Sequence, residues 1–496
     1  MFTSPPSQRR DGRRRAPLSH ASVALAAVAA PAAIVCLLAL LTAPSRGAGG
    51  ETGDRGRGSD AALTFPNPHG AARTVTADGR NRIDRNNPFF TSLGENGRAC
   101  VDCHQPDSGW TITPPHIRAK FDASQGRDPL FRLVDGANSP RADVSTYKAR
   151  RKAYTMLLNK GLIRVGLPIP ADAEFTLAGV EDPYGFASAS ELSLFRRPLP
   201  STNLRFISAA MWDGRETVDP MSIQPYGWDE SPNVAALLSN LLRQSNNATR
   251  GHAEGLRDLT DDERRQIVAF EMGLTTAQVH DAGAGPLDRW GALGGPTGLA
   301  AQNFYIGIND NVADPYGPFD GSAMRLYGGW EHDRNPERRA VARGESLFNT
   351  RQIALSGVKG LNDNPYFGSP PLVLGTCTTC HNTPNVGNHS ISIPLDIGVA
   401  DAARRTPDMP LYTLRHKVTG EVVQTTDPGR ALVTGAWNDV GRFKGPILRG
   451  LASRAPYFHN GSAATIEDAV DFYDDRFGMA LTRQEKADLV AFLRTL

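Results

Sequence analysis

Two short stretches carry the most specific chemistry in this chain: Cys100-Val-Asp-Cys103-His104 and Cys377-Thr-Thr-Cys380-His381. Two thiols three positions apart can add across the two vinyl groups of one haem, and the adjacent His then stands under the ring as an axial iron ligand. The pattern predicts two covalently bound haem c groups, attached by Cys100, Cys103, Cys377 and Cys380 and ligated by His104 and His381. The alternatives are a zinc site built from the two Cys-x-x-Cys pairs, or thioredoxin-like redox pairs. Zinc ribbons separate their pairs by about 15–20 residues, far less than the distance from Cys100 to Cys377, and neither alternative accounts for a His directly after both pairs. Of the five cysteines only Cys36 is left over, and it lies in an apolar stretch near the N-terminus.

The elements that must hold these motifs show in the wider pattern. At 496 residues, 40% hydrophobic, the chain can form more than one folded domain. Its 54 Lys and Arg nearly balance 52 Asp and Glu, and Arg9, Arg10, Arg13, Arg14 and Arg15 hold much of the basic excess, so nucleic acid is set aside as a partner. Residues 1–48 pair this basic start with a charge-free stretch from Ala21 to Pro44. They form an export signal, either cleaved or kept as an N-terminal membrane anchor, and imply a periplasmic protein. Residues 49–86 read as a flexible linker.

The chain also repeats itself. Leu259-Thr-Asp-Asp-Glu-Arg-Arg-Gln-Ile-Val-Ala-Phe270 aligns with Leu481-Thr-Arg-Gln-Glu-Lys-Ala-Asp-Leu-Val-Ala-Phe492. Each copy opens with a capping box, Thr260 with Glu263 and Thr482 with Glu485, before apolar residues at helical spacing. Met211-Trp-Asp-Gly214 and Phe458-His-Asn-Gly461 correspond in the same way. The fold expected is mainly α, with two cytochrome-c-like haem domains related by internal duplication and interrupted by loop insertions. The domains cover 87–280 and 336–496, and the Gly/Pro-rich residues 281–335 link them. The first half is the longer, and its extra residues are assigned to Arg118 to Leu199 and to the stretch after the Trp-Asp-Gly turn.

With these landmarks, the chain resembles the bacterial di-haem cytochrome c peroxidase and MauG superfamily. The most specific pieces are the two haem motifs, Met211-Trp-Asp-Gly-Arg215, Phe443-Lys-Gly-Pro-Ile-Leu-Arg449 and Ala455-Pro-Tyr-Phe-His-Asn-Gly461. The resemblance implies that the N-terminal haem reacts with peroxide, that the C-terminal haem transfers or stores electrons, and that Trp212 bridges them. It places Gln244 and Glu254 in the peroxide pocket, Glu254 as the acid–base group, with His252 as an additional base that could serve instead. His116 is either a releasable iron ligand or, the preferred reading, a surface or supporting histidine. The far-side ligand of the second haem falls on Tyr473, as in MauG, where the peroxidases have Met; a core aromatic is the alternative, with Met479 as a second candidate ligand. An inter-haem Ca2+ would use the carbonyls of Arg454 and Pro456, but the family's Asn ligand aligns near Arg197.

The resemblance, together with the haem motifs, implies a c-type di-haem oxidoreductase that reduces hydrogen peroxide. Its reductant would be a small electron-donor protein, a cytochrome c or cupredoxin, or else the side chains of an oxidised protein substrate. A non-catalytic electron carrier is the remaining alternative.

Overall fold

A computed structural model describes residues 63–217, 230–302, 309 and 319–496; the apolar N-terminal stretch and Cys36 lie outside the described residues. Among the described residues no helix is long and apolar enough to cross a membrane. Among the described residues helix exceeds strand, but there is more strand than the periodicity predicts, gathered in five small sheets.

The repeated segments form the helices Asp261–Met272 and Arg483–Arg494. Both caps are built as expected: Thr260 Oγ1 accepts from Glu263 N (3.2 Å) while Glu263 Oε2 accepts from Thr260 N (2.8 Å), and Thr482 with Glu485 repeats these bonds at the same lengths. Each cap contributes about 1 kcal/mol. The last helix crosses Pro336–Thr350 at close range, because a Cβ on Gly344 would lie 1.9 Å from the Asp488 carbonyl oxygen. Phe492 packs on Phe348 and Tyr327 at this crossing. In the first half Phe270 fills the equivalent place against Phe89 and Phe90.

Gly70–Thr76 and Leu274–Asp281 pair at the centre of a four-stranded sheet, flanked by Thr64–Asn67 and Gly285–Pro286. Residues 64–76 fall in the stretch read as flexible linker, yet they are fastened to the first haem motif's segment. The Thr74 hydroxyl accepts from the Trp110 indole N–H (2.9 Å) and shares a hydrogen bond with Thr276 (2.8 Å). The extra residues of the first half include the strand Phe175–Glu181, which pairs antiparallel with Leu411–His416; Val422–Thr425 completes this sheet. Phe175, Leu192, Tyr412, Leu414 and Trp437 form the apolar cluster behind it. The largest core cluster also draws on both halves, uniting Phe206, Leu237 and Val268 with Val341, Phe348, Leu489 and Phe492.

Candidate active site

A single helical turn presents each Cys-x-x-Cys-His motif. The amides of His104 and His381 donate to the carbonyls of Cys100 and Cys377 at 3.0 and 2.9 Å, which gathers two thiols and an imidazole on one side of the turn. Each imidazole is then locked from behind: His104 Nδ1–H donates to Trp110 O (3.1 Å) and His381 Nδ1–H to Gly387 O (2.7 Å). Both carbonyls come from residues in the left-handed region, Trp110 at φ 61° and Gly387 at φ 66°. A carbonyl only accepts, so each Nδ1 keeps its proton in the neutral ring and each Nε2 carries the lone pair that an iron would need. Burial pushes both imidazoles down to about 4, holding them neutral.

The two motifs line two cavities, of about 480 and 190 Å³, so the four thiols do not converge on one zinc. Burial also pushes the Cys100, Cys103 and Cys377 thiols up to about 12, the reverse of what a thioredoxin-like pair needs. Buried cations border the same cavities. Lys444 (6% exposed) and Arg197 (4%) line the first, and Arg197 and Arg454 line the second; none of the three has an ion pair among the described residues. A haem is an apolar ring carrying two carboxylates, and these residues fit it: thiols and an imidazole at one edge, apolar walls, and cations without a counter-charge.

Trp212 borders both cavities. Its indole N–H donates to Arg197 O (2.7 Å), and its ring meets His459 edge to face with centroids 6.1 Å apart. The turn that holds it has Met211 at φ 63° and Gly214 at φ 65°, and the corresponding turn repeats this with Phe458 at 65° and Gly461 at 62°. Beneath Trp212, Arg196 binds Asp213 (2.5 Å) and Asp427 (2.7 Å) in a fully buried network that Arg215 joins. Burial works to raise the Asp213 carboxyl, but Arg196 and Arg215 outweigh it and hold it well below the usual range.

The helix Glu230–His252 carries Gln244, Ser245, Ala248, Thr249 and His252 to the first cavity. Glu254 does not arrive there. The chain turns at Glu254 with φ 54°, leaves its side chain exposed, and zips back along residues 94–96: Glu95 N and Asn96 N donate to the carbonyls of Glu254 (3.5 Å) and Ala253 (3.4 Å). Gly94 permits this approach, since a Cβ there would lie 2.0 Å from Ala253 O. Glu254, which the resemblance places in the peroxide pocket, therefore does not line this cavity, whereas His252 does. Its Nδ1 lies 2.6 Å from Asp135 Oδ2.

Sequence reasoning missed Asp135, which is far from any motif, and Glu271, which also opens on the first cavity and whose carboxyl burial pushes up to about 8. The repeat alone could have flagged Glu271, because its counterpart Leu493 is apolar and lines the second cavity.

In the second cavity, Tyr473 meets the His381 ring edge to face with centroids 6.3 Å apart and is flanked by Phe477. Met479 lines the same cavity. His116 lines neither; it sits beside Asp107 (3.6 Å).

The expected calcium ligands do not fit a metal. Arg197 Nη2 donates to Arg454 O (3.0 Å), and its Nη1 donates to Gly161 O (3.2 Å) and Lys160 O (3.3 Å). A guanidinium thus already holds the carbonyl that a cation would need, and a second positive charge beside it would be repelled. EDTA treatment is expected to leave the haem spectra and melting temperature unchanged. Arg197→Ala, which leaves three carbonyls unpaired, should destabilise the protein by about 3 kcal/mol or more in thermal unfolding.

No family model matches the chain. A cytochrome-c peroxidase of Pseudomonas sp. (strain SCT) is 33% identical over 140 residues, covering 24% of this chain and 36% of that protein. The cytochrome c551 peroxidase of Nitrosomonas europaea is 33% identical over 123 residues, covering 24% and 30%. The chain thus spans about a third of the length of these curated relatives. Among solved structures, a MauG-like protein associated with microbial copper homeostasis aligns over 90% of this chain and 95% of its own, at 14% identity and a TM-score of 0.36. Over about a quarter of its length, then, this chain is similar to bacterial cytochrome c peroxidases.

Proposed function

We propose that the protein is a periplasmic di-haem oxidoreductase that reduces hydrogen peroxide at the first cavity with electrons passed through Trp212 from the second. The observation that carries this reading is that Trp212 lines both cavities, while the first of them also holds a histidine paired with a carboxylate. Two haems, one on each Cys-x-x-Cys-His motif, would supply the iron that accepts and delivers single electrons. Peroxide takes up two electrons and two protons to give two waters, so a proton-handling side chain is needed at one iron only. His252 Nε2 takes the proton from bound peroxide and returns it to the leaving oxygen, and Gln244 lines the wall where peroxide sits.

The reading includes residues 87–280 and 336–496 as duplicated haem-bearing halves joined by 281–335. The matching caps, left-handed turns and histidine locks support this duplication. Residues 1–48 direct export. The reductant is a small cytochrome c or cupredoxin.

The test is peroxide-dependent oxidation of a reduced small cytochrome c by the holoprotein, with haem spectra recorded alongside. Rapid turnover establishes a peroxidase. A long-lived spectral change with little turnover favours a second reading, MauG-like oxidation of a partner protein, which the presence of Tyr473 beside His381 in the second cavity supports. No response leaves an electron carrier. In the Trp212→Phe variant the first haem should still respond to peroxide while oxidation of the second slows; the lost bond to Arg197 O costs about 1 kcal/mol of stability.

A further inference from the structure

His252 reaches the first cavity from the last turn of its helix, a position that would ordinarily leave a histidine free to swing. Here it is tied on two sides. Its ring Nδ1 meets Asp135 Oδ2 at 2.6 Å, and its backbone carbonyl accepts from Asn96 Nδ2 (2.8 Å) and Arg98 Nη1 (3.1 Å). Asp135 is 4% exposed and Arg98 3%. Arg98 Nη1 donates to both oxygens of Asp135 at 2.6 and 2.7 Å, and the rest of its guanidinium is satisfied by the carbonyls of Pro129 (3.1 Å) and Leu130 (2.8 Å). Burial works to raise the Asp135 carboxyl, but Arg98 and His252 outweigh it and keep it ionised.

An ionised carboxylate only accepts hydrogen bonds. Nδ1 therefore carries the ring proton, and Nε2 presents its lone pair as the acceptor. Arg98 also precedes Cys100 by two positions, so one side chain links the haem-attachment segment to the carboxylate that orients the base.

We infer that Asp135, held by Arg98, is a positioning residue that fixes the tautomer and aim of His252 so that Nε2 accepts the peroxide proton. This rests on the reading of His252 given above. One peroxide oxygen loses its proton to Nε2, and the resulting imidazolium is stabilised by Asp135. As the O–O bond breaks, the other oxygen leaves as water with the proton it already carried and the one Nε2 returns; the first oxygen becomes the second water with two electrons from the reduced donor protein and two protons from solvent.

The test uses the full holoprotein and two probes, hydrogen peroxide and hydrogen cyanide, which must also give up a proton when its anion binds ferric iron. Asp135→Asn keeps the shape but lets the side chain donate, which favours the wrong tautomer. With haem content unchanged, it should slow cyanide association and the peroxide reaction by roughly 10- to 100-fold. His252→Gln should slow both at least as much, and the double variant should be no slower than His252→Gln alone. Should Asp135→Asn fail to take up haem, Arg98→Lys, which loses the fork but keeps the charge, carries the same expectation. Wild-type rates in Asp135→Asn beside a slow His252→Gln would overturn the inference, as would fully additive losses in the double variant. A wild-type protein that binds cyanide quickly but does not turn over peroxide would remove the peroxidase reading, while the cyanide rates would still decide the role of Asp135.

Discussion

Replacing His252 by glutamine is expected to lower the rate of peroxide reaction by about 10²- to 10⁴-fold, the usual contribution of a positioned general base. Replacing Glu254 by glutamine should change it by no more than about twofold, as for an exposed side chain away from the site. The contrast is sharp because the resemblance assigns the role to Glu254, and only the backbone geometry moves it. Stopped-flow recording of the haem absorbance after mixing with peroxide measures both. A large loss in Glu254→Gln with a fast His252→Gln would show that the loop at 252–254 rearranges when haem is bound, and would return the role to the carboxylate.

The second large effect is expected at Tyr473. If its phenolate completes the coordination of the second iron opposite His381, Tyr473→Met exchanges a hard anionic ligand for a soft neutral one. That should raise the reduction potential of that haem on the order of hundreds of millivolts. Burial pushes the Tyr473 phenol up, so an ionised phenolate there would need a cation such as iron beside it. Spectroelectrochemical titration reads the shift, and Tyr473→Phe should lose the phenolate spectrum altogether. An unchanged spectrum and potential in Tyr473→Phe would rule out this ligand and leave Met479, which lines the same cavity.

Much of the site was legible because local rules dictate it. A Cys-x-x-Cys-His turn, a capping box or a Trp-Asp-Gly-Arg turn is specified within a few residues, and each folds as its residues require. The direction of Glu254 was not legible, because it depends on a left-handed turn and on Gly94 from a distant segment. Asp135 and Arg98 were silent for the same reason: their meaning lies in a contact with His252 that no spacing announces. The strands escaped for a different reason. Leu192–Arg196 is buried on both faces, Arg196 included, so it shows no alternation. Pro66 in an edge strand made residues 64–67 resemble linker.

The sheet that joins Phe175–Glu181 to Leu411–His416 has a bearing on the order of assembly. Closing a loop of more than two hundred residues costs about 5 kcal/mol of chain entropy before the first cross-strand bond forms. The pairing is therefore expected to form late, after the local haem-attachment turns. Hydrogen exchange should find the amides of Leu411–His416 opening well before those of the helix Arg483–Arg494.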